Sequence, residues 1–410
     1  MGSISGSMSG YGSTPSDRTD NFGVEGVPRA KAPSDQRIHY RNLLAEGEDE
    51  DQSVIFDADA EHLLDIKLVH TLGSDVFFPV LSMRFSPDGK YLATGTFSSA
   101  NVYDTVTGAL TCTFSHEFTG SNSGSCAVCF SPDSMWLATD GDDGHIQIWD
   151  IATKQIMRSF DGHRDRITSL DFSRDGRFLV SGSDDGTARL WDMLGDGSSK
   201  ILRAHDSAST AIGKHRVVVA MSPCGQFIAT GTLDAAVRIW DITTYTLLET
   251  LQGHVGSVDC VVFTPDGKGL FSGGQDQTLK HWDIHDLTSR AAARRDGGGA
   301  NIDSEVVQAS RCTKEFKHKG GVKSVAVSSD GRWILSSGHV HTTLWSFDNA
   351  KLWQCELHGD FSPIYAVDVS PTGTLLAAGG WPGARIWRMQ VKADIPAARG
   401  PVGATCTQPS

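Results

Sequence analysis

The sequence has no uninterrupted apolar run of about 18 residues, which excludes a membrane-spanning helix of ordinary length. Its start, MGSISGSMSGYG, lacks the charged and apolar parts of a secretion signal, so a soluble intracellular chain with no membrane partner is expected. The signatures G-x-S-x-G, H-E-x-x-H and G-x-x-x-x-G-K-[ST] are all missing. Cysteine is sparse, with eight residues in 410, too few for a disulfide framework in a chain this long. Cys112, Cys126, Cys129, Cys260 and Cys355 fall inside apparent strands, so reduced and mostly buried thiols are expected. Cys126 and Cys129 have CxxC spacing. On a strand, positions three apart point to opposite faces, and no second pair completes a zinc site. His339, His341 and His358 have no carboxylates or cysteines at matching intervals. The turn Asp140-Gly141-Asp142-Asp143-Gly144 lacks the later glutamate of a calcium loop. No catalytic residue, metal, cofactor or small-molecule substrate is therefore expected, and the protein reads as a non-enzyme.

Lysine and arginine are also absent between Glu46 and Asp65, where nine acids stand. The net charge of −13 is concentrated there, leaving about −4 for the rest. Such a body gains little from counterion release on phosphate, so no direct nucleic-acid binding is expected. Residues 1–62, Gly/Ser-rich and then acidic, read as a disordered tail, as do residues 390–410.

What the chain does have is a repeat. A turn motif recurs seven times, as SPDG at Ser86, SPDS at Ser131, SRDG at Ser173, SPCG at Ser222, TPDG at Thr264, SSDG at Ser328 and SPTG at Ser370. Proline fixes φ, aspartate bonds its own backbone, and glycine supplies positive φ, so each is a hairpin turn between two β-rich runs. A third run then ends in an aromatic: Tyr103, Trp149, Trp191, Trp240, Trp282, Trp345 or Trp387. The distance from the apolar residue before each turn to that aromatic is always 18 or 19 residues. With WD pairs at Trp149, Trp191, Trp240 and Trp282, the unit of about forty residues matches the four-stranded WD-repeat blade. The fold class is all-β, a seven-bladed WD40 β-propeller spanning residues 63–389.

Two blades carry the Gly-His pair of the WD repeat, at His163 and His254. The resemblance implies a hydrogen-bonded cluster of His163, Ser181, Asp185 and Trp191 in blade three, and of His254, Ser272, Asp276 and Trp282 in blade five. A Ser-His-Asp triad is the competing reading; recurrence in two blades, under a loop, favours a structural clamp. The seventh repeat runs out at Met389, so its outer strand must come from elsewhere. Leu63–Leu72, LLDIKLVHTL, is the candidate. The insertion from Ser289 to Ser310 reads as a mobile loop, the alternative being a small basic patch of Arg290, Arg294 and Arg295.

Aligned on these repeats, the chain resembles the Tup family of fungal general transcriptional corepressors, the counterpart of Groucho-type corepressors. The match rests on DIKLVHTL, on FSPDGKYLATGTFSSANVYDTVTG with Tyr103 replacing tryptophan, on SVDCVVFTPDG, on the insertion after blade five, and on ARIW in blade seven. No stretch resembles the family's N-terminal tetramerisation region, so a monomer is expected. Trp381-Pro382-Gly383 replaces the family's polar turn. The resemblance implies a nuclear protein, with cytoplasm as the alternative. It also implies protein partners: DNA-binding transcription factors, a tetratricopeptide-repeat co-subunit or histones. A general scaffold or ubiquitin-ligase substrate receptor is the alternative function. Partners of such propellers meet the top face, formed by the loops before each first strand and between second and third strands. Those loops here contain Phe77, Phe78, Phe97, Phe361 and Trp381, an aromatic rim where blades one and seven meet, with Arg164, Asp165 and Arg166, then Lys319 and Lys323, as surrounding charge.

Overall fold

A computed structural model describes residues 52–55, 63–73, 78–115, 127–141, 144–204, 215–295, 312–339, 342–347, 354–357 and 363–392. The described residues form seven antiparallel sheets, and in six of them the strands lie in sequence order. Blade three is representative: Ile167–Phe172 lies innermost, then Phe178–Ser183, Thr187–Asp192 and Ser199–Arg203. The inner strands touch their neighbours in cyclic order, blade seven returning to blade one.

The hairpin turns form for the reason their composition indicates. In blade one, Ser86 Oγ donates to Asp88 Oδ1 (2.7 Å) and accepts the Tyr91 N–H (2.9 Å), while Asp88 accepts the Lys90 N–H (3.1 Å). The residue closing each turn is left-handed, a glycine at φ 67° to 74° in six turns and Ser134 at 61° in the other.

The apolar core lies between blades rather than within them. Seven clusters of buried residues each draw on two adjacent blades. A phenylalanine on one outer strand meets the aromatic of the next blade at three seams: Phe114 and Trp149 (5.0 Å between ring centroids), Phe160 and Trp191 (5.3 Å), Phe316 and Trp345 (5.2 Å). Blade three can approach blade four closely because Gly182 has no Cβ; one built there would fall 2.2 Å from the Val217 carbonyl oxygen. Polar side chains also stitch the inner strands. Asp368 accepts the Phe85 N–H (2.6 Å) and Asp171 the Met221 N–H (2.7 Å). Burial pushes both carboxyls up, opposed by the positive charge of Arg84, whose guanidinium is 3.9 Å from Asp368.

Blade seven differs from the rest. Its third strand, Gly383–Lys392, pairs with Leu63–Leu72 from Ala384 opposite Leu72 to Lys392 opposite Leu63. In blades one to four a short turn joins the third strand to the outer one, and in blades five and six the outer strand is still the next strand in the chain. Here the two strands come from distant parts of the chain and no turn limits them, so the ladder runs to Lys392 rather than stopping at Met389. Gln52–Ile55 then adds a fifth strand along Leu64 to Lys67. That corrects the reading of residues 1–62 as wholly disordered: a short β-rich run inside acidic sequence finds a partner in an open strand edge. The rest of both tails lies outside the described residues. A second correction concerns the long insertion, which begins as a helix, Leu287–Arg295, rather than a loop.

Deleting the residues before Thr71 removes the partners of Ile386 to Lys392 and leaves that part of the strand as an open edge. The truncated protein should sediment as aggregates, whereas the full chain does not.

Candidate functional site

The structure brings His163, Ser181, Asp185 and Trp191 together in blade three. The Trp191 indole N–H donates to Ser181 Oγ (2.8 Å), Ser181 Oγ lies 2.7 Å from His163 Nε2, and His163 Nδ1 lies 2.8 Å from Asp185 Oδ2. Blade five repeats it: Trp282 to Ser272 2.8 Å, Ser272 to His254 2.7 Å, His254 to Asp276 2.8 Å. Because the serine oxygen already accepts from tryptophan, its hydroxyl hydrogen is free to donate to Nε2. The imidazole is then neutral, with its proton on Nδ1 facing the carboxylate. Burial, the larger influence, lowers the pKa of both histidines. It also works against ionisation of Asp185 and Asp276, but donors around each carboxylate outweigh it and hold both acids below the usual range. The chain of donors runs one way, from indole to carboxylate. Ser181 and Ser272 are fully buried, so neither oxygen is available to an incoming carbonyl.

A third such chain has no Gly-His pair to announce it. In blade six the Trp345 indole donates to Ser336 Oγ (2.6 Å), and His318 Nε2 lies 2.9 Å from the same oxygen. Trp149 bonds Thr139 (2.8 Å) and Trp240 bonds Thr230 (3.0 Å), while Ala378 holds the equivalent position in blade seven. The signal for blade six was a histidine 18 residues before a second-strand serine, the spacing seen in blades three and five.

The loops before the first strands and between the second and third strands open at one end of the blades, here the upper face. Phe78 precedes the first strand of blade one, and its ring meets Phe97 edge-on at 5.9 Å between centroids. Phe78 and Trp381 are each 43% exposed; Phe97 is half-buried. Trp381 and Pro382, joined by a cis peptide bond, form the hairpin tip between Gly380 and Gly383. The seam of blades seven and one runs beside them, where the Val80 N–H donates to the Gly380 carbonyl (2.9 Å). Phe77 and Phe361 lie outside the described residues.

The charged residues divide. The Arg164 side chain is exposed, with its backbone N–H on Asp185 (3.1 Å), whereas the Arg166 guanidinium is held by Asp184 (2.5 Å) and Lys323 by Asp259 (2.6 Å). Two exposed apolar residues join this face that the sequence had hidden inside the repeat pattern. Leu233 sits between the second and third strands of blade four, and Val255 follows His254. Of the arginines considered as a basic patch, Arg290 is paired with Glu249 (3.1 Å) and Arg295 with Asp241 (2.7 Å). The Arg294 side chain lies outside the described residues. So do Cys126, His341 and His358. Cys129 is buried in the inner layer, its thiol pushed up to about 12 by desolvation.

The family described as WD domain, G-beta repeat matches seven segments: 66–102, 112–150, 154–192, 199–241, 245–283, 310–346 and 351–388. The chain belongs to the WD40 repeat family. Within it the protein is related to the Tup/rco-1 transcriptional corepressors. It is 38% identical over 348 residues to transcriptional repressor rco-1 of Neurospora crassa, a match covering 82% of this chain and 54% of rco-1. General transcriptional corepressor tupA of Dictyostelium discoideum is 35% identical over 32% of this chain and 23% of its own. Transcriptional repressor tup12 of Schizosaccharomyces pombe is 40% identical over 26% of this chain and 18% of its own. The WD40 chain thus spans about half the length of rco-1 and less of the other two.

Ser272→Ala strands a buried indole N–H and an imidazole nitrogen, and should cost about 1–3 kcal/mol in urea unfolding. Acid should weaken the fold through the buried histidines. Burial pushes His281 and His318 down to about 4, with Lys314 adding repulsion at His281. Their unfolded forms take up protons near pH 6.5 while the folded forms resist until about pH 4, so stability present above pH 6.5 is lost as pH falls through that window. The melting temperature should drop steadily from pH 6.5 to 4.5; a flat profile would contradict the depressed histidines.

Proposed function

We propose that the protein is a corepressor-type interaction module in the nucleus, held to genes by DNA-binding transcription factors that seat on its upper face at the seam of blades one and seven. The observation that carries this reading is the pair of exposed aromatics, Phe78 and Trp381, on either side of that seam. Aromatic rings bury large area at little entropic cost, which is what an anchoring site needs. Phe97 props Phe78 from behind through the edge-on contact. Leu233 and Val255 extend the apolar surface of the same face at blades four and five. Arg164 supplies a cation near it, with Arg166 and Lys323 already balanced by their own carboxylates. The names of the relatives, a transcriptional repressor and a general transcriptional corepressor, support the same context. Phe77, Phe361 and Lys319 belong to the proposed surface by their place in the loops, and a tetratricopeptide-repeat co-subunit or histones are further partners in this reading.

Affinity capture from nuclear extract tests it, with DNA-binding repressors and the tetratricopeptide co-subunit as the proteins sought. Trp381→Ala and Phe78→Ala should each weaken capture at least about tenfold, or about 1.4 kcal/mol, with the melting temperature unchanged. Undiminished capture by both variants would refute the site.

A further inference from the structure

Adjacent blades at the lower, outer edge solve one packing problem in two ways. Where blades four and five meet, the turn after the third strand of blade five has grown into the helix Leu287–Arg295. Leu287 and Ala291, one helical turn apart, are buried in one cluster with Leu248 from the outer strand of blade four. Arg290 pairs with Glu249 of that strand.

Ladder registers identify the equivalent residues of blade two. Trp240 faces Leu247 and Ile239 faces Glu249, leaving Leu248 as the extra residue of a bulge. Trp149 faces Ile156 and Ile148 faces Arg158, leaving Met157. Met157 therefore stands where Leu248 does, and Arg158 where Glu249 does. In blade three, however, the corresponding turn is short, running Met193, Leu194, Gly195, and the Arg158 guanidinium donates to the Met193 and Gly195 carbonyls, fastening that turn to the outer strand of blade two. Nothing in the described residues plays the helix's part. Leu248 is 7% exposed beneath its helix, whereas Met157 is 57% and Leu194 85% exposed, with Ile156 exposed beside them.

We propose that Ile156, Met157 and Leu194 form a docking strip for an acidic amphipathic helix of a partner protein, seated as Leu287–Arg295 is seated on blade four. Exposed apolar strips of this kind mark helix-in-groove sites. The sign of the partner follows from the inverted charge. Glu249 meets an arginine of its helix, but the same ladder position of the strip is the cation Arg158, which holds two carbonyls and has the exposed Asp196 nearby, with the exposed Lys154 on the same turn side. A partner helix therefore needs glutamate or aspartate where this one carries Arg290. A second copy of the chain does not fit, since its own helix is basic and already buried against blade four. The strip lies at the opposite end of the strands from Phe78 and Trp381, so both sites can be filled at once.

A stapled helical peptide serves as the probe, with leucines at the spacing of Leu287 and Ala291 and glutamates at the positions of Arg290, Arg294 and Arg295. Its arginine-bearing twin is the control. Titrated into the full chain carrying 13C-methyl methionine, the glutamate peptide should shift the Met157 methyl signal and bind at least about tenfold more tightly than its twin. Met157→Glu and Leu194→Glu, both at exposed positions, should weaken binding by a similar factor with the melting temperature unchanged. Equal binding of the two peptides, or binding indifferent to Met157→Glu, overturns the proposal. So does sedimentation showing a dimer that Met157→Glu dissociates, which would give the strip to a second copy.

Discussion

Every blade interface depends on one antiparallel ladder between strands from distant parts of the chain, Leu63–Leu72 and Gly383–Lys392. The apolar clusters lie between blades, so each needs a neighbour on both sides and no blade holds a core of its own. In an open arc the terminal blades would lose one cluster each and expose a strand edge. Ile66 and Met389 tie the closing ladder into the cluster of blades six and seven, and Leu72 ties it into that of blades seven and one. Closure is therefore a packing requirement as well as a hydrogen-bonding one.

In blades two to six a polar chain fixes the aromatic at the end of the third strand, and its completeness varies round the ring. Among the described residues, blades three and five have indole, serine, imidazole and carboxylate; the chain reaches the imidazole in blade six and a threonine in blades two and four, and blade seven has Ala378. Blade seven is the one held by the closing ladder, where pairing along ten residues does the work of the clamp. It is also the blade whose hairpin tip carries Trp381 rather than a turn aspartate. In blade three, Asp185 at that tip is committed to His163 and to the Arg164 backbone, so its loop is tied down. At the seam of blades seven and one, the corresponding positions present aromatic rings to solvent.

Much of this was legible before any coordinates, because the repeat is written in turn chemistry. Ser-Pro-Asp-Gly dictates a hairpin whatever surrounds it, and seven copies in register with a downstream aromatic dictate seven blades. The two four-residue clusters followed from the resemblance to the WD repeat, placed on these residues by the same register. What escaped depends on surroundings rather than on local pattern. Gln52–Ile55 is a strand because the closing ladder offers it an edge, which its acidic flanks conceal. Leu287–Arg295 is a helix because Leu248, Glu249 and Asp241 receive its apolar and basic faces, whereas its sequence had read as a mobile loop. Leu233 and Val255 occupy loop positions inside well-formed repeats, where an apolar residue gives no sign of facing water. The opposite faces of the ring thus carry different chemistry: aromatic above the seam, and aliphatic with basic flanks at the lower edge of blades two and three.

The proposed seat of partners, on the upper face at the seam of blades seven and one, is tested most directly by hydrogen–deuterium exchange on the protein alone and with a captured DNA-binding repressor. Slowed exchange should centre on the segments around Phe78 to Val80, Phe97 to Ser99 and Gly380 to Gly383, with the lower turns at Ser86, Ser173 and Ser328 unchanged. Protection confined to those lower turns, or spread evenly over all seven blades, would rule out that seat.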